Sequence, residues 1–243
     1  MLILRGLVRC LDFWLDFEPA LREQFTVICI DNRGVGGTDA PLGLYSTSSM
    51  ADDTAEVLRG LGYDKVDLFG ISLGGMIAQQ LLIRHPALFR RAVLGCTQPG
   101  GRRAKKPAKS TLVKLASAMF RDERAGNKMS LPLVSSDQYL QRCPEIEDIW
   151  YELICKWPVP RHVFAAQLGA AAAHRAANDL PHMHTPTLLL SGNADRLIPA
   201  ANTTLLNELI PDSRIEWIAG AGHDFPTEAP EESARLIGEF LLN

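Results

Sequence analysis

Short apolar runs alternate with longer amphipathic stretches along the first hundred residues. The apolar runs are rich in β-branched and other large hydrophobic residues, which is typical of strands buried on both faces of a sheet. They predict strands at 1–4, 26–30, 65–69 and 92–96. The stretches between them repeat at helical spacing and predict helices at 11–25, 48–61 and 76–83, with Ser48 or Ser49 as an N-cap. Alternating strands and helices predict a mostly parallel, doubly wound α/β sheet.

The alternation stops after the fourth strand. Residues 98–183 contain helical patterns and no convincing strand, with helices predicted at 110–121 and 161–177 and one or two helices over 136–155. The strand–helix pattern then returns, with strands predicted at 186–192 and 214–218 and helices at 200–210 and 230–242. We therefore predict an α/β core formed by residues 1–97 and 184–243, with residues 98–183 inserted as a helical cap.

Composition and charge narrow the class of protein. The chain has 243 residues and 47% hydrophobic content, which suits one domain with a sizeable core. Its net charge of -3 favours neither nucleic acid nor an anionic membrane as a partner. No apolar stretch is long enough to cross a bilayer, and the apolar start is too short for a signal peptide. The five cysteines are widely spaced, which indicates reduced thiols in a cytoplasmic protein.

One stretch carries a chemical signature. Ser72 lies in Gly70-Ile71-Ser72-Leu73-Gly74-Gly75, between a predicted strand and a predicted helix. Gly-x-Ser-x-Gly in this setting is the pattern of a nucleophile elbow, where small residues permit a tight turn that exposes the serine. The alternative is a serine in an ordinary glycine-rich turn.

Two later motifs extend this pattern. Asp195 lies in Gly192-Asn193-Ala194-Asp195-Arg196-Leu197-Ile198-Pro199, after a late strand, and His223 ends Gly220-Ala221-Gly222-His223, after the last strand. With Ser72 they occur in the chain order of the α/β-hydrolase fold family, which the sequence resembles over nearly its whole length. The resemblance implies a Ser72 nucleophile, a His223 base and an Asp195 that orients the histidine.

Alternatives to the acid remain open at this point. Asp195 could instead cap a helix before Pro199, and three other aspartates are candidates for the acid. These are Asp67, Asp212 and Asp224. Some members of the family place the acid after the preceding strand, where this chain has Cys96-Thr97-Gln98 and no carboxylate, which favours Asp195.

The oxyanion-binding loop departs from the family pattern. The resemblance implies that the backbone N–H groups of Leu73 and Leu7 bind the oxyanion. Relatives carry His-Gly-x before the second donor, whereas this chain has Arg5-Gly6-Leu7, and Arg5 could simply cap a strand end. The chain also starts almost on its first strand, where relatives have a β-hairpin. This shortened N-terminus would leave a sheet edge open, which makes a homodimer a possible arrangement.

The elbow and cap resemble those of 3-oxoadipate enol-lactonases and bacterial carboxylesterases. The predicted function is therefore a serine hydrolase that cleaves a small carboxylic ester or lactone through an acyl-enzyme. Carbon–carbon bond hydrolases and perhydrolases with the same three residues are alternatives, and so is a non-catalytic protein that binds a ligand or partner. We expect no cofactor and no metal, because His182 and His184 lack a carboxylate or cysteine partner nearby in the sequence.

Overall fold

A computed structural model describes residues 1–118 and 120–243 of the chain. Its described residues form one six-stranded sheet in the order β2-β1-β3-β4-β5-β6, and every pair of neighbours is parallel. The strands are β1 (Leu2–Leu4), β2 (Ile28–Ile30), β3 (Val66–Ile71), β4 (Phe89–Gly95), β5 (Thr187–Gly192) and β6 (Ser213–Ile218). This confirms the predicted doubly wound α/β architecture. Because the strands are parallel, their carboxyl ends meet at one edge.

Helices cover both faces of the sheet. They are α1 (Phe17–Arg22), α2 (Thr47–Gly60), α3 (Leu73–Arg84), α4 (Lys109–Ala118), α5 (Glu123–Val134), α6 (Asp137–Arg142), α7 (Ile146–Lys156), α8 (Arg161–Ala173), α9 (Ala201–Leu209), α10 (Phe225–Glu228) and α11 (Pro230–Leu242). Helices α4 to α8 all lie between β4 and β5 in the chain, where the sequence predicts a helical block. Within the described ranges, none of the helices has the length and apolar character needed to cross a membrane.

Some local predictions differ from the structure, and the helix predicted at 161–177 ends at Ala173. The predicted helix 11–25 is divided into a 3₁₀ turn at Leu11–Trp14 and α1, because Leu15 takes a φ of 45° that no helix continues. Helix α2 is capped by Ser46 rather than by Ser48 or Ser49. Helix α5 was not predicted, and the predicted helix 110–121 includes Met119, which lies outside the described residues.

Strand β1 shows how the sheet separates two hydrophobic layers. Its side chains alternate, so Leu2 and Leu4 pack in the layer that contains α2 and α3, while Ile3 packs in the layer that contains α1 and α11. All three are fully buried, which contributes about 1.5–3 kcal/mol each. In the second layer, Phe69 of β3 contacts the rings of Trp14, Phe17 and Phe225. These contacts hold the strand that leads into the serine turn.

A buried histidine joins the segment between β4 and β5 to the sheet layers. His174, directly after α8, is 2% exposed. Its Nδ1 lies 3.0 Å from Thr47 Oγ1, at the start of α2, and its Nε2 lies 3.3 Å from Gln79 Oε1 of α3. Burial, followed by the charge of Arg175, lowers the pKa of His174 to about 4. The imidazole is therefore neutral at pH 7 and serves as a structural link.

A buried carboxylate makes a second link. Glu228 of α10 accepts hydrogen bonds from the Gly222 N–H at 3.0 Å and the Ser136 N–H at 3.1 Å, and from Ser136 Oγ at 2.6 Å. Ser136 is the N-cap of α6, whereas Gly222 directly precedes His223. Burial raises the pKa of Glu228, although these three donors oppose the change. The start of α6 is thereby fixed to the loop that carries His223.

Candidate active site

Ser72 lies in a sharp turn between β3 and α3. Its backbone has φ 57° and ψ -119°, a conformation that a residue with a side chain rarely adopts. The Ser72 N–H donates to Gly95 O at 2.9 Å, and Thr97 Oγ1 donates to Ser72 O at 2.8 Å. Ser72 keeps accessible surface although the residues on both sides are buried. The turn therefore presents the hydroxyl at the carboxyl edge of the sheet, as the glycine pattern predicts.

Two glycines allow the backbone to close around this turn. A Cβ at Gly74 would overlap the carbonyl oxygen of Leu4, so β1 and α3 approach closely only because position 74 has no side chain. A Cβ at Gly6 would lie 3.1 Å from Ser72 Cβ and 3.6 Å from Ser72 Oγ. The loop after β1 therefore lies directly against the serine.

The two predicted oxyanion donors lie in this region. Leu73 is the first residue of α3, and Leu7 follows the glycine that touches Ser72. Neither backbone N–H is hydrogen-bonded within the part of the chain that the structure describes. Leu73 is 1% exposed, so its free N–H is a buried donor without a partner. Such donors are costly unless a ligand satisfies them, which fits a role in binding an oxyanion.

Asp195 and His223 meet at the ends of β5 and β6. His223 Nδ1 lies 2.8 Å from Asp195 Oδ2, and both side chains are nearly inaccessible to solvent. The other oxygen of Asp195 accepts from the Leu197 and Ile198 N–H groups at 2.7 and 2.9 Å. The carboxylate is therefore held rigidly, and as an acceptor it places the Nδ1 proton on the imidazole. The Nε2 atom is left as the basic nitrogen.

The electrostatics of His223 favour its charged form. Burial alone would lower the pKa of His223, but the charge and hydrogen bond of Asp195, with a further contribution from Asp224, outweigh it and raise the pKa. Within the described residues no hydrogen bond joins Ser72 Oγ to His223. In enzymes without bound substrate, catalytic hydrogen bonds of this kind are often long and tighten in the complex.

Cys96 lies close to the hydrogen-bonded pair of Asp195 and His223. It follows β4, and ligand atoms of Cys96, Asp195 and His223 all lie within 4.8 Å of one another. Burial, followed by the charge of Asp195, raises the pKa of the Cys96 thiol well above its ordinary value, so the thiol stays protonated at neutral pH. These are the residues in the described part of the chain that could hold a metal ion.

Comparison with known proteins decides the family. The family described as alpha/beta hydrolase fold matches residues 1–230. The chain belongs to the α/β-hydrolase family. Over 241 residues it is 28% identical to the poly(3-hydroxyalkanoate) depolymerase of Ectopseudomonas oleovorans, with 99% of this chain and 83% of that protein covered. It is also 28% identical over 239 residues to the 2-hydroxymuconate semialdehyde hydrolase of Pseudomonas sp. strain CF600, with 94% of this chain and 80% of that protein covered.

The fold comparison agrees with this assignment. The enol-lactonase of Burkholderia xenovorans LB400 superposes with a TM-score of 0.88 at 22% identity, over 100% of this chain and 90% of the lactonase. This likeness concerns the fold. Because the matched relatives are named hydrolases, the chain is an enzyme of the α/β-hydrolase type. The alternative of a non-catalytic binding protein is therefore not supported.

The structure separates the acid candidates of this α/β-hydrolase. Of the four aspartates, Asp195 alone is hydrogen-bonded to the histidine. Asp67 of β3 accepts from Arg90 Nε at 2.9 Å, and Asp224 is paired with Arg5. Asp212 precedes β6 and therefore lies at the opposite edge of the sheet. The geometry thus favours the acid that chain order indicates.

Arg5 and Asp224 form a pair that sequence reasoning missed. Arg5 Nη1 donates to Asp224 Oδ1 at 2.6 Å, and Nη2 donates to Asp224 Oδ2 at 3.1 Å and to Phe13 O at 2.6 Å. The guanidinium also lies 4.5 Å from the Trp14 ring centroid. Arg5 is 4% exposed, so the proposal that it only caps a strand end is wrong. A charged residue directly after the wholly apolar β1 was the available signal, since buried charge needs a partner.

This pair joins the two loops on either side of Ser72. Arg5 begins the loop that carries the predicted donor Leu7, and Asp224 directly follows His223. Burial would raise the pKa of Asp224, but Arg5 outweighs burial and the pKa is lowered. In this α/β-hydrolase Arg5 therefore fixes the loop after β1 to the loop that carries His223 through a buried charge pair.

Proposed function

We propose that this α/β-hydrolase is a serine hydrolase that cleaves a small carboxylic ester or lactone through an acyl-enzyme. The observation that carries the proposal is the buried 2.8 Å hydrogen bond between His223 and Asp195 beside the strained Ser72 turn. It supports an imidazole with a fixed tautomer whose free nitrogen can take a proton from the serine.

In the proposed acylation, Ser72 Oγ attacks the carbonyl carbon while its proton moves to His223 Nε2. Asp195 stabilises the imidazolium, for which the raised pKa of His223 is favourable. The carbonyl oxygen becomes an oxyanion that accepts from the Leu7 and Leu73 N–H groups. When the tetrahedral intermediate collapses, His223 gives the proton to the departing alcohol oxygen.

Deacylation uses the same groups in reverse. Water attacks the acyl carbon and gives its proton to His223 Nε2, and the carboxylic acid leaves as Ser72 Oγ recovers the proton. His223 accepts and then returns the proton in both halves of this scheme. The proposed cap of residues 98–183 would cover the site, because its links through Ser136 and His174 hold it to the catalytic edge.

The test is hydrolysis of short p-nitrophenyl esters combined with labelling by a fluorophosphonate. Wild type should turn over and label, and Ser72→Ala should do neither. Ser213→Ala is the matched control, since Ser213 begins β6 at the opposite edge of the sheet and should behave as wild type. Folded wild type that neither hydrolyses nor labels would overturn the proposal.

Carbon–carbon bond hydrolysis is a second candidate, favoured by the similarity to a protein named 2-hydroxymuconate semialdehyde hydrolase. The two candidates differ in the bond that is broken. Labelling of Ser72 together with faster turnover of a ring-cleavage dienoate than of any ester would favour this second function. Efficient ester turnover without dienoate turnover would favour the first.

A further inference from the structure

Residues 102–121, which lead into α4 and contain it, form a strongly basic segment. The basic segment has seven lysines and arginines and neither aspartate nor glutamate, whereas the chain as a whole has a net charge of -3. Its cations are Arg102, Arg103, Lys105, Lys106, Lys109, Lys114 and Arg121. The net charge of the chain, which argues against an anionic membrane, therefore conceals a local surface of the opposite sign.

The cations of the basic segment are exposed and almost free of counter-charges. All seven residues are exposed to solvent. Among the residues that the structure describes, only Arg103 of the seven forms a salt bridge, with Glu208 at 3.8 Å. Exposed pairs of this kind contribute little to stability. The segment therefore presents a positive charge to solvent that the protein itself does not neutralise.

Large apolar side chains lie exposed among these cations. Leu112, Val113 and Phe120 are 43%, 64% and 77% exposed. Leu112 and Val113 lie one turn after Lys109, and Phe120 follows Val113 by seven residues, which is the spacing of one helix face. Thr111 is buried, and α4 packs against α5. Helix α4 therefore directs apolar side chains outward, where a surface helix usually presents polar ones.

The basic segment is anchored to the core. The Lys105 N–H donates to Asn202 Oδ1 at 2.8 Å, and Asn202 Nδ2 donates to Lys105 O at 2.8 Å. Asn202 belongs to α9 and is fully buried. Just before the segment, the Gly101 N–H donates to His174 O at 3.3 Å. The backbone is thus held in place while the basic side chains stay in solvent, which lowers the entropic cost of binding a partner.

The surface of α4 also borders the catalytic edge of the sheet. Thr111 and Lys114 line a cavity of about 370 Å³, and its other walls include Pro132 of α5 and Arg196. Arg196 directly follows Asp195 in the chain. A partner bound along the outer face of α4 would therefore lie close to the loop that carries Asp195.

The combination of cations and apolar side chains discriminates between kinds of partner. A nucleic acid would satisfy the cations but would leave Leu112, Val113 and Phe120 without an apolar environment. A second copy of the chain, bound through the same face, would place like charges together. An anionic lipid surface satisfies both sets of side chains, because its headgroups attract lysine and arginine while the acyl boundary accepts apolar groups.

We propose that the basic segment and the outer face of α4 bind an anionic lipid surface, with the helix lying flat among the headgroups. Lys109 and Lys114 would contact the charged headgroups, and Phe120 would enter the boundary between headgroups and acyl chains. The proposal goes beyond the serine chemistry and does not depend on it.

The test is sedimentation of the full chain with two kinds of vesicle. One is phosphatidylcholine alone, and in the other a third of the lipid is phosphatidylserine. Wild type should bind the anionic vesicles, and more weakly as salt is added. Lys109→Gln/Lys114→Gln should lower the partition coefficient roughly 30-fold, a factor of about five for each basic residue removed. The matched control is Lys65→Gln/Arg214→Gln, which removes the same charge at the opposite edge of the sheet and should bind as wild type.

A second pair of variants tests the apolar contribution. Phe120→Ser should weaken binding to the anionic vesicles roughly 10-fold, since a large part of the ring leaves water on binding. Leu44→Ser is its control, because Leu44 is 99% exposed but lies outside the basic segment, and its binding should not change. All these positions are exposed, so circular dichroism should show that each variant is folded.

Several results would overturn this inference. They are failure of folded wild type to bind the anionic vesicles, equal binding to both kinds of vesicle, and binding that either Lys109→Gln/Lys114→Gln or Phe120→Ser retains in full. Binding of a single-stranded oligonucleotide without binding of vesicles would also overturn it and would favour a nucleic acid as the partner. Each readout is a binding measurement, so the labelling of Ser72 tests the proposed function separately.

Discussion

Removing the charge of Asp224 should destabilise this protein far more than removing a similar charge at the surface. Asp224 and Arg5 are 5% and 4% exposed, and the Arg5 guanidinium donates hydrogen bonds to both carboxylate oxygens of Asp224. In Asp224→Asn the Arg5 guanidinium stays buried without its counter-charge. Breaking a buried pair in this way costs about 3–5 kcal/mol of unfolding free energy, a large part of the 5–15 kcal/mol that holds a typical domain together.

The chain offers a matched control for this effect. Arg33 and Asp53 form the same two-point contact, at 2.7 and 2.9 Å, but their side chains are 29% and 44% exposed. Water screens that pair, so Asp53→Asn should cost about 0–1 kcal/mol. Urea denaturation followed by circular dichroism at pH 7 measures both variants, and an unchanged slope with denaturant would show that the transitions are comparable.

The pH dependence of the unfolding free energy gives a further test of the Arg5–Asp224 pair. Because the pKa of Asp224 is lowered in the folded protein, its stabilisation is complete above the unfolded carboxyl pKa near 4 and is lost as the pH falls through the folded pKa. The gap between wild type and Asp224→Asn should therefore narrow in acid. The double variant Arg5→Met/Asp224→Asn should lose less than the sum of the two single changes. If Asp224→Asn is no more costly than Asp53→Asn, the reasoning is wrong.

Three further outcomes follow from the site and its supports. Asp195→Asn should lower kcat about 10⁴-fold and move the acid limb of the pH–rate profile to lower pH, because Asp195 raises the pKa of His223; an unmoved limb would contradict this. Gly6→Ala should lower kcat roughly 10-fold or more, since the new methyl group presses on Ser72, and wild-type rates would show that the loop yields freely. The pKa of His174 is about 4 in the folded protein and about 6.5 in the unfolded chain, so between these pH values only the unfolded chain binds the proton. The unfolding free energy of wild type should therefore fall by up to about 3 kcal/mol between pH 6.5 and 4. Urea denaturation of His174→Gln should lack that contribution.

The parallel sheet could be predicted because each strand is a short apolar run and each connection contains helical spacing, whereas the order of the strands was not predicted. The positions of Ser72, Asp195 and His223 followed from the same pattern, since parallel strands bring their carboxyl ends to one edge. Their catalytic roles remain predictions that the experiments above test. The hydrogen bond between Asp195 and His223 agrees with the chain order that suggested it.

The remaining features depend on contacts between distant parts of the chain. Helix α5 contains Pro132, a residue that argues against a helix in a local pattern, yet its packing against α7 maintains it. The break at Leu15 serves the packing of Trp14 and Phe17 on the sheet, which helical spacing alone does not reveal. The Arg5–Asp224 pair spans 219 positions, so neither residue signals the other locally.

The carboxylate of Glu228 also limits how this enzyme can be recombined with its relatives. A chimera that imports a foreign segment between β4 and β5 must supply a hydroxyl and a free N–H at the position of Ser136, or else leave a buried acceptor without its donors. Because the same carboxylate holds Gly222, a mismatch at the start of α6 would be transmitted to the histidine loop.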